Sequence, residues 1–135
     1  MKDSIIRTVT EYYPDTLAVY LFGSQADQTM REDSDVDIAL LLPIATAKSA
    51  AELSQSDLRF SLEKRLKKSV DLINLQLAST VFQHEICCSG IRLYSGNLYE
   101  TETFEMMTLS YYCKLNEERR DIMDSIISSR RIHDI

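Results

Sequence analysis

Two apolar runs with a polar stretch between them constrain this chain more than anything else in it. Residues 16–22, TLAVYLF, are β-branched and aromatic enough for a buried strand, and Gly23 closes it. Residues 35–42, DVDIALLL, form a second strand, stopped by Pro43. Between them, Gly23-Ser24 is followed after ten residues by Asp35-Val36-Asp37. Side chains alternate across a strand, so Asp35 and Asp37 share one face, their Cα atoms roughly 6.6 Å apart. Val36, Ile38, Leu40 and Leu42 then point the other way, into a core. Like charges on one face repel, and burying them unpaired is costly. A divalent cation removes the conflict. Carboxylate oxygens suit Mg²⁺ or Mn²⁺, with phosphate oxygens and water completing the coordination.

The Gly-Ser pair supplies a phosphate-binding counterpart. Gly23 lets the backbone turn tightly and approach a ligand. Ser24 opens a short helix, Gln25 to Thr29, whose free N–H groups favour an anion. Arg31-Glu32-Asp33-Ser34 is a polar turn. A triphosphate held at the turn would lie near cations held by the aspartates, an arrangement suited to in-line displacement at phosphorus. Asp71 begins a third apolar run, residues 70–75 (VDLINL), and can join the pair as a metal ligand or as the base that takes the nucleophile's proton. Asp33 to Asp37 also mimics the start of an EF-hand loop. That reading fails because position six is Ile38 rather than Gly and position twelve is Ile44 rather than Glu.

Around these strands the pattern is helical. Ile5, Ile6, Val9 and Tyr13 line one side of a helix over 3–13, capped by Asp3 or Ser4 and ended by Pro14-Asp15. Leu58, Leu62 and Leu66, with Leu53 a turn earlier, predict a helix from about 45 to 67, whose end carries Lys64, Arg65, Lys67 and Lys68 beside the helix dipole. A short helix over 79–88, an edge strand over 91–94 and a turn at Gly96-Asn97 come next. From 98 to about 130 the chain reads as one long helix or two shorter ones, with a broad stripe including Phe104, Met107, Tyr111, Leu115, Ile122 and Ile126. The expected architecture is α/β, a small sheet flanked by helices. One domain over 1–135 is expected, with a catalytic core at about 16–75 and a C-terminal helical segment at about 98–130. The stretch from Glu117 to Ile135 exceeds what so small a core requires and is expected to help bind a protein partner.

Composition narrows the function. A net charge of −6 is the wrong sign for a general grip on nucleic acid, so no direct nucleic-acid binding is expected. No apolar stretch approaches a membrane span, and the N-terminus is amphipathic and carries acids, unlike a signal peptide. Cys87, Cys88 and Cys113 form neither a disulfide framework nor a paired zinc motif, so a cytoplasmic setting is expected.

Gly23-Ser24, ten residues, Asp35-Val36-Asp37 and a later Asp71 together resemble the nucleotidyltransferase superfamily that contains DNA polymerase beta. A bare domain of this length more narrowly resembles the minimal nucleotidyltransferases (MNT), antitoxin partners of HEPN ribonuclease toxins. The resemblance implies a mixed sheet flanked by helices, Mg²⁺, ATP as donor, and transfer of AMP to a tyrosine hydroxyl of the toxin. By motif match Gly23 and Ser24 would hold phosphates, Asp35 and Asp37 would bind metal, and Asp71 would be the third carboxylate. Many relatives read Gly-Ser-Arg-Ala-Arg-Gly at the turn. Here it is Gly23-Ser24-Gln25-Ala26-Asp27-Gln28, which lacks both arginines, so phosphate contact falls to Ser24, backbone N–H groups and Arg31. Two other readings stand beside this one: an antitoxin that acts by binding alone, and an enzyme acting on a small molecule or a nucleic-acid end.

Overall fold

The computed structural model describes residues 1–23 and 35–133, with side chains as far as Ser128. Ser24, Arg31 and the short helix expected over 25–29 lie outside the described residues. The elements in chain order are α1 (Lys2–Tyr12), β1 (Ala18–Phe22), β2 (Val36–Leu41), α2 (Ile44–Ser49), α3 (Asp57–Leu66), β3 (Val70–Asn74), α4 (Thr80–Ser89), β4 (Ile91–Ser95) and α5 (Leu98–His133). The strands form one sheet in the order β3-β2-β1-β4. β1 is antiparallel to both β2 and β4, whereas β2 and β3 are parallel, so the sheet is mixed. A parallel pair needs a crossover connection, and α2 with α3 supplies it.

Both faces of the sheet are covered. Val19, Leu21, Val36, Ile38, Leu40, Leu42, Val70 and Leu72 meet Ile5 and Val9 of α1 and Leu58 and Leu62 of α3. Ala18, Tyr20, Ala39 and Leu41 meet Leu75 and Ile86, with Phe82 and Phe104 alongside. From sequence, only the even-numbered residues of β2 face a core. Ala39 and Leu41 are buried as well, because α4 and α5 lie over the aspartate-bearing face beyond Asp37.

The helix expected over 45–67 is interrupted. In β3, the Asn74 Nδ2 donates to the carbonyls of Ala47 (2.9 Å) and Ala50 (3.2 Å), at the end of α2. The hydroxyl of Ser56 then accepts from the Arg59 N–H (3.4 Å) and caps α3 afresh. Leucine periodicity is blind to such side-chain competition. The basic run at the end of α3 is partly committed inside the fold, since Arg65 donates to Thr8 Oγ1 (2.7 Å) and pairs with Glu11 (3.1 Å).

The C-terminal segment is one helix of 36 residues. Asn97 Oδ1 accepts from the Glu100 N–H (3.1 Å), and buried Thr101 donates to the Leu17 carbonyl (3.0 Å). Tyr20 donates to Glu105 (2.6 Å), which also pairs with Arg92 (3.1 Å), so β1, β4 and α5 are tied together. Burial, reinforced by the Glu105 charge, pushes the Tyr20 phenol well above its ordinary range and keeps it a donor. Among the described residues, no helix is long and apolar enough to cross a membrane.

Candidate active site

Three chain segments converge at one end of the sheet. Phe22, the last residue of β1, pairs with Asp37, and Gly23 comes immediately after it. Gly23 has φ +70°, a left-handed conformation that L side chains rarely adopt. A Cβ at Gly23 would also overlap the Asp37 carboxylate. Two independent constraints thus demand glycine where the motif has it: backbone conformation, and space for a carboxylate.

Asp37 pairs in turn with Asp71 across the parallel β2–β3 ladder. Neighbouring strands run about 4.8 Å apart, so the two carboxylates rise side by side from one face. Asp35 lies just before β2 and is exposed, Asp71 is exposed, and Asp37 is half-buried. Burial, then the charge of Asp71, then that of Asp35, hold the Asp37 carboxyl above its ordinary value. The three acids are therefore close enough to repel. Among the described residues they do not close into a ready three-ligand cation cage. An acid held above its ordinary value by burial and by two neighbouring carboxylates fits a hard divalent cation whose remaining positions phosphate and water can fill. Among the described residues, no aspartate lines the cavity of about 680 Å³ at the opposite ends of the strands, between Leu17, Ile44 and the first turns of α5.

Gly23, Asp35, Asp37 and Asp71 are thus brought to one edge. From sequence, Phe22 has no role beyond its strand. Here Phe82 of α4 meets it edge-on, with centroids 5.8 Å apart and planes at 87°, and both rings pack against the buried cluster of Tyr20, Ala39 and Leu41. A pairing of Phe22 with Asp37 is readable from the strands once their register is known; the helix that supplies Phe82 is expected over 79–88 and found at Thr80–Ser89, but its packing against Phe22 is not readable.

Residues 4–98 match the family model for polymerase beta nucleotidyltransferases. The chain belongs to this family. Among other members of the nucleotidyltransferase family, it is 31% identical over 128 residues to the protein adenylyltransferase MntA of Shewanella oneidensis, covering 95% of this chain and 88% of that protein. It is similar to a crystal structure of a toxin–antitoxin with AMP-PNP, with a TM-score of 0.71 and 31% identity over 93% of this chain and 98% of that one. A structure of the tri-AMPylated Shewanella oneidensis HEPN toxin in complex with MNT antitoxin matches at a TM-score of 0.65 and 29% identity, over 93% of this chain and 95% of that one. The mixed sheet and the long C-terminal helix expected from sequence are those of this nucleotidyltransferase fold.

Proposed function

We propose that this chain is an antitoxin that transfers AMP from ATP to a tyrosine hydroxyl of a partner HEPN ribonuclease toxin and so neutralises it. The observation that carries the reading is the meeting of Gly23, Asp37 and Asp71 at one sheet edge, in a chain 31% identical to a protein adenylyltransferase. The setting is the cytoplasm, where ATP is available and where the free thiols of Cys87, Cys88 and Cys113 stay reduced.

In this reading Asp35, Asp37 and Asp71 hold Mg²⁺ or Mn²⁺, and Ser24 and Arg31 join Gly23 at the phosphates. The cation, when bound, supplies positive charge against the phosphates and the developing oxyanions. Gly23 leaves the space in which Asp37 sits. The toxin's phenolic oxygen attacks the α-phosphorus, the bond from that phosphorus to the bridging oxygen breaks, and pyrophosphate leaves. The phenolic proton passes to a base, a role open to Asp71 as the exposed acid beside Asp37. The nucleophile comes with the partner, so no nucleophilic side chain is required of this chain.

Incubation of the chain with α-labelled ATP, Mg²⁺ and the toxin tests this. The wild type should label the toxin, and the double variant Asp35→Asn/Asp37→Asn should abolish labelling while keeping the fold. Full labelling by the double variant would sink the catalytic reading. The departure of Gln25 and Asp27 from the arginines of relatives favours, as a second reading, an antitoxin that acts by binding alone. In that case the wild type also labels nothing.

A further inference from the structure

Asp71 stands on β3, at one edge of the sheet, where only β2 pairs with it among the described residues. The outer side of an edge strand presents carbonyls that no ladder satisfies, and such strands open more readily than central ones. A carboxylate that must keep its place beside Asp37 is thus carried on the less secured of the two strands. Whatever holds the outer side of β3 at this point bears on the site.

Successive carbonyls of a strand point to opposite edges. The carbonyl of Ser69 turns inward and accepts from the Val36 N–H of β2 (2.9 Å). That of Val70, the next, accepts from the Arg59 Nε–H of α3 (3.0 Å). It belongs to the peptide unit whose nitrogen is that of Asp71. The backbone entering Asp71 is therefore gripped from both sides, by a strand on one and by a side chain on the other.

Arg59 is committed to this contact. Its Nε carries a single hydrogen, and that hydrogen goes to Val70. Glu63 Oε1 lies 3.0 Å from the same nitrogen, yet it is buried and takes no hydrogen bond. The Glu63 charge balances the guanidinium without drawing the hydrogen away. The Arg59 backbone is fixed as well, since its N–H donates to the capping hydroxyl of Ser56 (3.4 Å). The donor thus projects from an anchored first turn of α3.

We propose that Arg59 is a positioning residue for AMP transfer: by holding the Val70 carbonyl it sets the place of Asp71 beside Asp37. The inference rests on the AMP-transfer reading of the site. Arg59 acts through the backbone, on the carboxylate that takes the phenolic proton or holds the cation. Gly23 follows β1, with β2 between it and β3, so the phosphate turn does not depend on this clamp. Loss of the clamp slows the chemical step and spares ATP binding.

Two substitutions separate the donor from the charge. In Arg59→Gln the amide nitrogen stands as many bonds from Cα as Nε does in arginine, so a donor stays and the charge goes. Arg59→Met keeps the length and loses both. The readouts are AMP transfer to the cognate toxin at varied ATP, and Mn²⁺ affinity without nucleotide by electron paramagnetic resonance. Full chains shown to be folded by circular dichroism are used; Arg59→Ala, which favours the helix, replaces Arg59→Met should the latter not fold. Arg59→Met should lower kcat about tenfold, as loss of a supporting hydrogen bond does at other sites, with the KM for ATP nearly unchanged. Arg59→Gln should restore most of the loss. A purely structural role would lower the melting temperature and leave kcat per folded molecule alone. Mn²⁺ affinity that falls with kcat upholds the inference with Asp71 as a ligand; unchanged affinity with lowered kcat upholds it with Asp71 as the base. Wild-type kcat in folded Arg59→Met overturns it, and so does a loss that Arg59→Gln does not relieve. A wild type that transfers no AMP removes the AMP-transfer reading, and Mn²⁺ affinity then decides alone: weakened in Arg59→Met and regained in Arg59→Gln, it upholds the placement of Asp71; unchanged, it overturns it.

Discussion

On one side of the sheet, Val19, Leu21, Ile38, Leu40 and Leu72 meet Ile5, Val9, Leu58 and Leu62, hydrocarbon against hydrocarbon. On the other, small Ala18 and Ala39 flank Tyr20, whose phenol donates to Glu105 of α5, itself paired with Arg92 of β4. The first face is buried across β1, β2 and β3. Among the described residues, the packed cluster on the second reaches Ala39 and Leu41, while Asp37 is half-buried and Asp71 exposed. A packed hydrocarbon layer thus lies opposite the layer that carries the acids at its edge. A carboxylate cluster would be intolerable in the first layer, where charges could be neither solvated nor neutralised.

The largest effect should come from damage to the hydrocarbon face. Leu62→Ala should cost about 2–5 kcal/mol in denaturant unfolding, because a fully buried leucine leaves a cavity. ATP affinity should be spared wherever the variant stays folded. A smaller loss is expected from Tyr20→Phe on the opposite face, about 1–2 kcal/mol, since Glu105 keeps Arg92 but loses the phenol donor. If Tyr20→Phe proved as costly as Leu62→Ala, the contrast between the faces would collapse.

Gly23→Ala should cost about 1 kcal/mol in stability, from the positive φ alone. Its main effect should be on AMP transfer, because the new methyl group displaces the Asp37 carboxylate. Transfer that survives intact would show that Asp37 need not occupy its observed position.

Asp37→Asn should slightly stabilise the chain in chelator at neutral pH. The folded Asp37 carboxyl sits above its ordinary value, so between the ordinary and the raised value the native state keeps a proton that the unfolded chain has lost. Wild-type stability therefore falls as pH rises from the ordinary aspartate value through the raised one. Below that window both states are protonated, and the advantage of the variant should vanish. Added Mg²⁺ should raise the melting temperature of the wild type and not that of Asp37→Asn. An advantage that persists in acid would point to something other than charge repulsion.

The smallest expected contrast is chemical. Burial, then Glu105, then Cys88, push the Cys87 thiol up to about 12, so it stays protonated at neutral pH. Iodoacetamide should therefore modify exposed Cys88 and Cys113 well before Cys87, read by mass spectrometry. Rapid modification of Cys87 would show that the cover from α4 and α5 opens readily.

Much of the carboxylate edge was legible in the chain. β1 and β2 were written by apolar runs, the shared direction of Asp35 and Asp37 by strand alternation, and Gly23 by its place at the end of β1. The break between α2 and α3 was not, because it depends on Asn74 from a strand further along. The cover over Ala39 and Leu41 was hidden for a similar reason: α4 and α5 come long after β2, and a run buried on both faces hides which side each helix takes.

By itself, the sequence determined the features set by local periodicity and backbone preference: which segments are strands, where glycine must stand, and which face of β2 carries the acids. Tertiary structure alone decided that Asp71 pairs with Asp37, that Phe82 meets Phe22, and that α5 outruns its support. Each of these depends on register or packing between segments distant in the chain, where the energy lies in the meeting of two surfaces and neither surface encodes it alone.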